Sequence, residues 1–268
     1  MEKLVPLLSI CILLFAACNS NDDDTPIIQA TEMYNFSGTV VDDSNTPIKN
    51  AKITLTTHHV TTDENGSFTL NDITLETDYA YIKVIKDDYI DGLRMLTSLQ
   101  ENNTIKFTLL NDRLVSILGT GGDSEVHFPT GLTFKINGNI KKEDGSPFAG
   151  FIYPVIHHIT PFNLDLESII PGKNSISEHN YGFVYVKLED ADKNWLDIAN
   201  EHSAMLEFDI DDDLFPTAPE TVKLYNFNEE TGLWVLYGTA TKTKILDVWV
   251  YQTSITSFKN AWFKLEAE

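Results

Sequence analysis

The stretch VTTDENGSFTL, at residues 60–70, decides the fold class of this 268-residue chain. Asn65-Gly66 divides two runs of alternating apolar and polar residues, a pattern typical of strands joined by a tight turn in which glycine takes a positive φ. Similar runs recur after residue 30, for example at residues 52–56 and 104–109, with further turns at Asp144-Gly145 and Thr231-Gly232. Alternation with period two is typical of half-buried strands. The sequence therefore predicts an all-β protein.

The strand-rich part of the chain divides into two halves. The strand pattern that ends at Leu110 is followed by a fresh apolar run from Leu114, so we place a boundary near Asn111-Asp112. We expect two consecutive antiparallel β-sandwich domains, over residues 31–112 and 113–268. Residues 195–208 fit both helix and strand periodicity, and at most a short helix is expected there.

Four segments of the first half match one known family: SGTVVD at 37–42, TPIKNAKI at 46–53, TDENGSF at 62–68, and a strand at 79–86 followed by Asp88-Tyr89. With these, residues 34–110 resemble the carboxypeptidase regulatory-like domain, except that Asp88 replaces a glycine usual in the family. The resemblance implies a seven-stranded, transthyretin-like Greek-key sandwich. Pro47, Ala51 and Gly66 also have structural explanations in turns and close packing, so none of them is a predicted site.

The second half contains a looser set of matching segments. They are Gly121-Gly122, Val126, FPTG at 128–131, IPG at 170–172, LYNFNEETGLW at 224–234 and GTA at 238–240. This half resembles the β-sandwich modules of cartilage intermediate layer proteins, ankyrins and netrin receptors. Its final segment, residues 255–262, departs from the aromatic-Asn-Asp ending of that family. Such modules elsewhere serve structural or interaction roles, so the resemblance implies a chain that is not an enzyme.

The N-terminal sequence predicts attachment to a membrane. Residues 4–15 are apolar but shorter than the roughly 20 residues that a spanning helix needs, and Phe15-Ala16-Ala17-Cys18 follows. This resembles a bacterial lipoprotein signal, which implies that residues 1–17 are removed as a signal peptide and that Cys18 carries the lipid. The alternative is an ordinary secretory leader that happens to contain a cysteine.

An acidic segment comes directly after Cys18. The run NSNDDD at residues 19–24 resembles the export signal of lipoproteins carried to the outer face of the bacterial outer membrane, and residues 18–30 also fit a flexible, solvated tether. Attachment by two or more fatty chains is stable, at about 0.8 kcal/mol per buried CH₂. We therefore expect a lipid-anchored protein of the outer membrane that faces outward.

Charge and cysteine content limit the partners. The formal net charge of the chain is -21, and removal of Glu2 with Lys3 leaves it unchanged. Such a charge repels phosphate backbones, which excludes nucleic acid as an expected partner and leaves a glycan or a surface protein. Because Cys11 belongs to the leader and Cys18 would carry lipid, no disulfide is expected.

No motif for catalysis occurs in the sequence. A zinc pair of the His-x-x-Glu type is absent at all seven histidines, and so are His-Glu-x-x-His and Gly-x-Ser-x-Gly. The pairs His58-His59 and His157-His158 are poor chelators, because neighbours on a strand point to opposite faces. We expect no catalytic, cofactor-binding or metal-ligating residues, and no cofactor.

Asp209, Asp211 and Asp213 have the spacing that begins a calcium-binding loop. Leu214 occupies the place where such a loop needs glycine, and no bidentate glutamate follows at the required distance. We expect an exposed, solvated loop over this run and the proline-containing segment at 216–219. Weak calcium binding is the alternative.

Three functions remain open at this stage. The first is a non-catalytic, lipid-anchored surface protein with a structural or interaction role. The second is a carbohydrate-binding lipoprotein that serves an outer-membrane glycan uptake system, for which the aromatic candidates are Trp195, Trp234, Trp249 and Trp262. Trp234 and Trp249 are more readily explained as packing residues. The third is a hydrolase without a recognisable motif, which requires a pocket lined by carboxylates with raised pKa values.

Overall fold

Strands account for most of the computed structural model, which describes residues 32–173, 177 and 179–267. The strands of the first β-region are β1 (Met33–Asp42), β2 (Lys52–Leu55), β3 (His58–Thr61), β4 (Ser67–Thr74), β5 (Ala80–Ile85), β6 (Gly92–Leu96) and β7 (Asn102–Leu109). They form one sheet in the order β4-β1-β7 and a second in the order β6-β5-β2-β3. The prediction of a seven-stranded sandwich is confirmed, with the difference that β1 and β7 run parallel.

The core of the first β-region follows the alternation seen in the sequence. Ile53 and Leu55 on β2 are fully buried, as are Phe107 on β7 and Phe36 on β1. These side chains belong to one apolar cluster between the two sheets. The period-two pattern therefore identified the inward faces correctly.

The turn at Asn65-Gly66 is present, but it is not the hairpin turn that the sequence predicts. Strand β3 pairs with β2, whereas β4 pairs with β1 in the other sheet, so the turn carries the chain from one sheet to the other. Thr62 redirects the chain: its buried hydroxyl donates to the carbonyl of Ile48 and accepts from the amide of Ala51. These bonds tie the end of β3 to the turn before β2 instead of to β4.

Gly66 is required for two separate reasons. Its φ is +70°, and a Cβ at this position would lie 2.3 Å from the carbonyl oxygen of Val40. Gly145 has a similar φ of +85° but has nothing within 4 Å of a Cβ. The two glycines therefore separate backbone strain from a steric clash.

This comparison gives a prediction for stability. Gly145→Ala is expected to lower the free energy of unfolding by about 1 kcal/mol, the ordinary consequence of a positive φ. Gly66→Ala should lower it by roughly a further 1–3 kcal/mol, because the strands must shift to relieve the clash. Urea denaturation of both variants measures the difference. Equal losses in the two variants would contradict the assigned clash.

The departure from the family pattern at Asp88 has a structural explanation. Asp88 has a φ of +69°, in the left-handed region where the family's usual glycine is favoured. The amide of Tyr89 donates to the carbonyl of Lys86, which closes the turn. Aspartate is one of the few residue types that tolerate this conformation, so the turn survives the replacement.

The second β-region contains fourteen strands in the described residues. They are β8 (Leu118–Gly119), β9 (Ser124–Phe128), β10 (Leu132–Ile136), β11 (Ile140–Lys142), β12 (Pro147–Phe148), β13 (Phe151–Ile159), β14 (Gly172–Lys173), β15 (Asn180–Glu189), β16 (Trp195–Ile198), β17 (Ala204–Asp209), β18 (Thr221–Asn228), β19 (Leu233–Ile245), β20 (Val248–Ile255) and β21 (Trp262–Glu266). A four-residue helix α1 (Leu166–Ile169) and a 3-10 helix (Phe215–Thr217) interrupt the series. The segment at 195–208 forms β16 and the start of β17, with no helix.

A long bent strand organises the second β-region. The first part of β19 pairs with β18 and its end pairs with β20, with a register shift between Leu224 and Tyr225 on β18. The hydrogen-bonded path runs β12-β11-β16-β15-β21-β18-β19-β20-β17-β10-β9, and β13 joins at β15. Side chains from strands along this path share one apolar core, which includes Phe134 on β10, Phe208 on β17 and Phe263 on β21. The fold class is therefore all-β with several sheets, as predicted.

Residues Glu32–Glu268 form one compact unit. The predicted signal peptide at 1–17, the lipid-attachment residue Cys18 and the whole of the tether at 18–30 lie outside the described residues. Within residues 32–173, 177 and 179–267, no helix has the length and apolar character needed to cross a bilayer.

Candidate functional site

The two β-regions meet through a shared apolar cluster, which we call the junction. The first β-region contributes Ile90, Leu93 and Leu110 to it, all nearly fully buried. The second contributes Val155, Ile159, Leu166, Ile170, Phe183, Tyr185, Phe227, Ala261 and Trp262. Apolar burial of this kind stabilises contact at about 25 cal/mol per Å² removed from water. The junction is therefore a packed interface and not a flexible hinge.

Backbone pairing also connects the regions. Strand β14 of the second region runs parallel to β6 of the first, with Gly172 opposite Arg94. The hydroxyl of Tyr81 donates to the carbonyl oxygen of Glu229 at 2.9 Å. A Cβ at Gly232 would lie 2.6 Å from Cε of Met95, so the two regions approach closely at that turn.

A lysine at the edge of the junction holds two carboxylates. Lys187 on β15 lies 2.6 Å from Asp112, in the segment that links the regions, and 2.8 Å from Glu189. Burial alone would lower the pKa of Lys187, but its hydrogen bonds with Asp112 and Glu189 outweigh burial and raise it. Lys187 is therefore a charged clamp between the linking segment and β15.

A small pocket lies at the junction. Its volume is about 190 Å³, and its lining includes Asp91, Tyr185, Lys187, Glu229 and Trp262. Burial raises the pKa of Glu229, with Lys83 opposing and Asp91 adding to that effect. Burial also raises the pKa of Tyr185. This is the place in the described chain where buried titratable groups converge between the two β-regions.

The junction pocket meets the hydrolase criterion only in part. Ligand sites usually enclose about 300–1,000 Å³, so a pocket of 190 Å³ is small for a substrate. Asp91, the other carboxylate that lines the pocket, forms an ion pair with Lys83 at 2.7 Å. Neither Asp91 nor Glu229 could be predicted from the sequence, because their approach depends on the packing of one β-region against the other.

The two histidine pairs lie on strands β3 and β13. His58 and His59 are both exposed on β3, an edge strand. On β13, Nε2 of His157 lies 2.8 Å from the carbonyl oxygen of Asn111, while Nδ1 of His158 lies 3.0 Å from the hydroxyl of Thr130. In the part of the chain that the structure describes, no three His, Cys, Asp or Glu side chains converge on a metal position.

Asp211, Asp212 and Asp213 lie in an exposed loop, as expected, whereas the run begins in strand β17 and includes the buried Ile210. Asp209 ends β17, and burial raises the pKa of its carboxyl group, with the charge of Glu207 adding to the rise. Oδ1 of Asp211 accepts the amide of Asp213 at 2.9 Å, so one of its oxygens supports a local turn. This arrangement is typical of a loop stabilised by its own side chains.

The four tryptophans differ in their surroundings. Trp262 is buried at the junction, and Trp234 packs against Phe227 while its indole N–H donates to the carbonyl of Pro171. Trp195 is half-buried on β16. Trp249 was expected to be a packing residue, but it is exposed at the surface. Its ring lies beside that of Phe215. No two of the four therefore form a shared exposed platform.

Comparison with known proteins identifies part of the first β-region. The model of the carboxypeptidase regulatory-like domain matches residues 35–83, which confirms that part of the predicted resemblance. A solved structure, "The Bacillus anthracis TIE protein", is similar at 9% identity and a TM-score of 0.26, over 88% of this chain and 48% of that one. The chain spans about half the length of that protein, and a TM-score of 0.26 does not establish a shared fold. None of the curated proteins matches the sequence.

Proposed function

We propose that this chain is a non-catalytic, lipid-anchored protein of the bacterial outer membrane, with a structural or interaction role at the cell surface. In this proposal Cys18 carries the lipid, and the first β-region spaces and supports the second above the membrane. We further propose that the second β-region is a module of the type found in cartilage intermediate layer proteins, ankyrins and netrin receptors.

The junction is the observation that supports this proposal most. A spacer must transmit position, and the two β-regions share an apolar cluster, a parallel strand pair and the Lys187 clamp. Interfaces between domains that move are usually more polar and lack continuous backbone pairing. The carboxypeptidase regulatory-like match at residues 35–83 agrees with a supporting role for the first β-region.

Replacement of the lipid-attachment residue tests the proposal. In bacterial cells, the wild-type chain is expected to partition into detergent and membrane fractions, whereas Cys18→Ala chains from which residues 1–17 have been removed should move almost entirely into the aqueous fraction. The reason is that two or more fatty chains, at about 0.8 kcal/mol per CH₂, supply the whole of the membrane affinity. Mass spectrometry of the N-terminal peptide identifies the lipid on residue 18.

The second cysteine supplies the matched control. Cys11→Ala alters the leader but leaves the attachment residue, so this variant should remain in the membrane fraction. Protease added to intact cells should digest the wild-type protein if the chain faces outward. Recovery of the wild type in the aqueous fraction with an unmodified Cys18 would overturn the proposed anchor.

A further inference from the structure

Two neighbouring aromatic rings are exposed on the surface of the second β-region. Phe215, in the 3-10 helix, is 37% exposed, and Trp249, on β20, is 38% exposed. Their ring centroids are 5.7 Å apart, and the ring planes differ by 36°. We call this pair the aromatic shelf.

The backbone and a lysine hold the shelf in place. The amide of Phe215 donates to the carbonyl of Asp211, and the amide of Ile210 donates to the carbonyl of Trp249. Nζ of Lys242 lies 5.7 Å from the centroid of the Phe215 ring and donates to the carbonyl of Ala218 at 2.8 Å. Because these contacts hold the backbone at both residues, and Lys242 and Trp249 pack against the ring of Phe215, less conformational freedom remains to be lost on binding.

Charged residues lie in the loop that precedes Phe215 and in the strand pair that carries Trp249. Asp212 and Asp213 follow the residue that anchors Phe215, are exposed, and accept no side-chain hydrogen bond from the described part of the chain. Lys244 is the cross-strand partner of Trp249 and forms an ion pair with Asp247 at 2.9 Å. The loop that carries Phe215 therefore also carries two hydrogen-bond acceptors, and the strand pair that carries Trp249 also carries a donor.

We propose that the aromatic shelf binds a neutral glycan, with a sugar ring lying on Trp249 and its hydroxyl groups donating to Asp212 and Asp213. The C–H groups on one face of a sugar carry partial positive charge and match the negative face of an aromatic ring. Carboxylates accept hydrogen bonds from hydroxyls. The net charge of -21 disfavours anionic glycans and anionic lipid headgroups.

This inference deepens the proposed interaction role of the surface protein, but it does not depend on lipid attachment. Failure of Cys18 to carry lipid would leave glycan binding by the shelf unaffected. Conversely, a chain that is anchored but binds no glycan would overturn only the inference made here. The two proposals can therefore fail separately.

The test is affinity electrophoresis of the full chain in a polyoxyethylene detergent, through gels that contain starch, xylan, mannan, galactan or mixed-linkage β-glucan. We expect at least one polysaccharide to retard the wild-type protein. Trp249→Ala should weaken that retardation roughly tenfold or more, as is usual when a central aromatic anchor is truncated. Asp212→Asn combined with Asp213→Asn should weaken it as well.

Matched controls separate the shelf from exposed apolar surface in general. Phe151, which is 65% exposed on β13, gives the control Phe151→Ala, which should bind as the wild type does. Leu246 is 96% exposed at the β19-β20 turn and has a φ of +45°. Leu246→Asn suits that φ and should leave glycan binding unchanged.

Three outcomes would overturn the inference. The first is that no polysaccharide retards the wild type, and the second is that Trp249→Ala migrates as the wild type does in the gel that retards it. The third uses the Cys18→Ala chain and phosphatidylcholine vesicles: sedimentation with the vesicles that is lost on Trp249→Ala would assign the aromatic shelf to lipid instead. Circular dichroism establishes that each variant is folded.

Discussion

Replacing Trp262 with alanine is expected to lower the free energy of unfolding by about 3–5 kcal/mol, because it removes a large buried ring and leaves a cavity. Trp262 is 3% exposed, lies in the junction cluster and contacts Tyr185 edge-on at a centroid distance of 5.3 Å. The new cavity would adjoin the junction pocket, which Trp262 already lines. Urea denaturation followed by circular dichroism measures the loss.

Trp249→Ala is the matched control, since it removes the same side chain from an exposed position. Its expected effect is below about 1 kcal/mol, because surface substitutions seldom exceed that range. Trp262→Phe, which keeps an aromatic ring in the junction, should retain more of the stability than Trp262→Ala. A loss below 1 kcal/mol in Trp262→Ala would mean that the junction contributes little to the folded state.

Acid is expected to destabilise the protein through His158. Burial lowers the pKa of His158 from 6.5 to about 4, so the folded state resists a proton that the unfolded state accepts. Stability from this group is complete above pH 6.5 and is lost as the pH falls toward 4. From the two pKa values the loss is about 3 kcal/mol by pH 4.

A neutral replacement isolates this contribution. His158→Asn can keep a hydrogen bond to Thr130 while removing the titration, so its unfolding free energy should fall less between pH 7 and pH 4 than that of the wild type. Burial also lowers the pKa of His157, and that effect remains in both proteins. His59→Asn, on the exposed edge strand β3, should follow the wild type. Parallel curves for wild type and His158→Asn would contradict the assigned burial effect.

The strands and their inward faces could be predicted from the sequence, because alternation is a local property. Ile53 and Leu55 on β2 lie on the inward face that the pattern indicated, and so do Ile105, Phe107 and Leu109 on β7. The positive φ of Gly66, Gly145 and Gly232 also agrees with the predicted turns. Short-range patterns of this kind carry enough information to assign the fold class.

Strand partners could not be read from the same pattern. The residues around Asn65-Gly66 fit a tight turn equally well whether the flanking strands pair with each other or enter different sheets. In the structure they enter different sheets, and the hydroxyl of Thr62 bonds to the turn before β2. The parallel pairing of β1 with β7 joins residues 67 positions apart, for example Asn35 with Asn102, which no local period encodes. Tertiary contacts therefore overrode the preferred local interpretation.

The site-level features were harder still to predict. Glu229 and Asp91 approach each other because two β-regions pack together, and nothing in either segment marks its residue as special. The sequence offered four tryptophans with similar local patterns, and it favoured packing for Trp249, which the structure places at the surface. The ring beside Trp249 belongs to Phe215, thirty-four positions earlier in the chain, and phenylalanine was not among the aromatic candidates.

The parallel pairing of β14 with β6 has a consequence for how the chain must be made. Without β14, the sheet of the first β-region would end at β6 with open amide and carbonyl groups, a template for aggregation with other chains. The family match ends at residue 83, before β6 and β7 begin, so that stretch alone lacks strands from both sheets. A nascent chain thus carries an unpaired edge at β6 until residue 173 has emerged, and an edge of this kind makes a partly folded chain prone to aggregation.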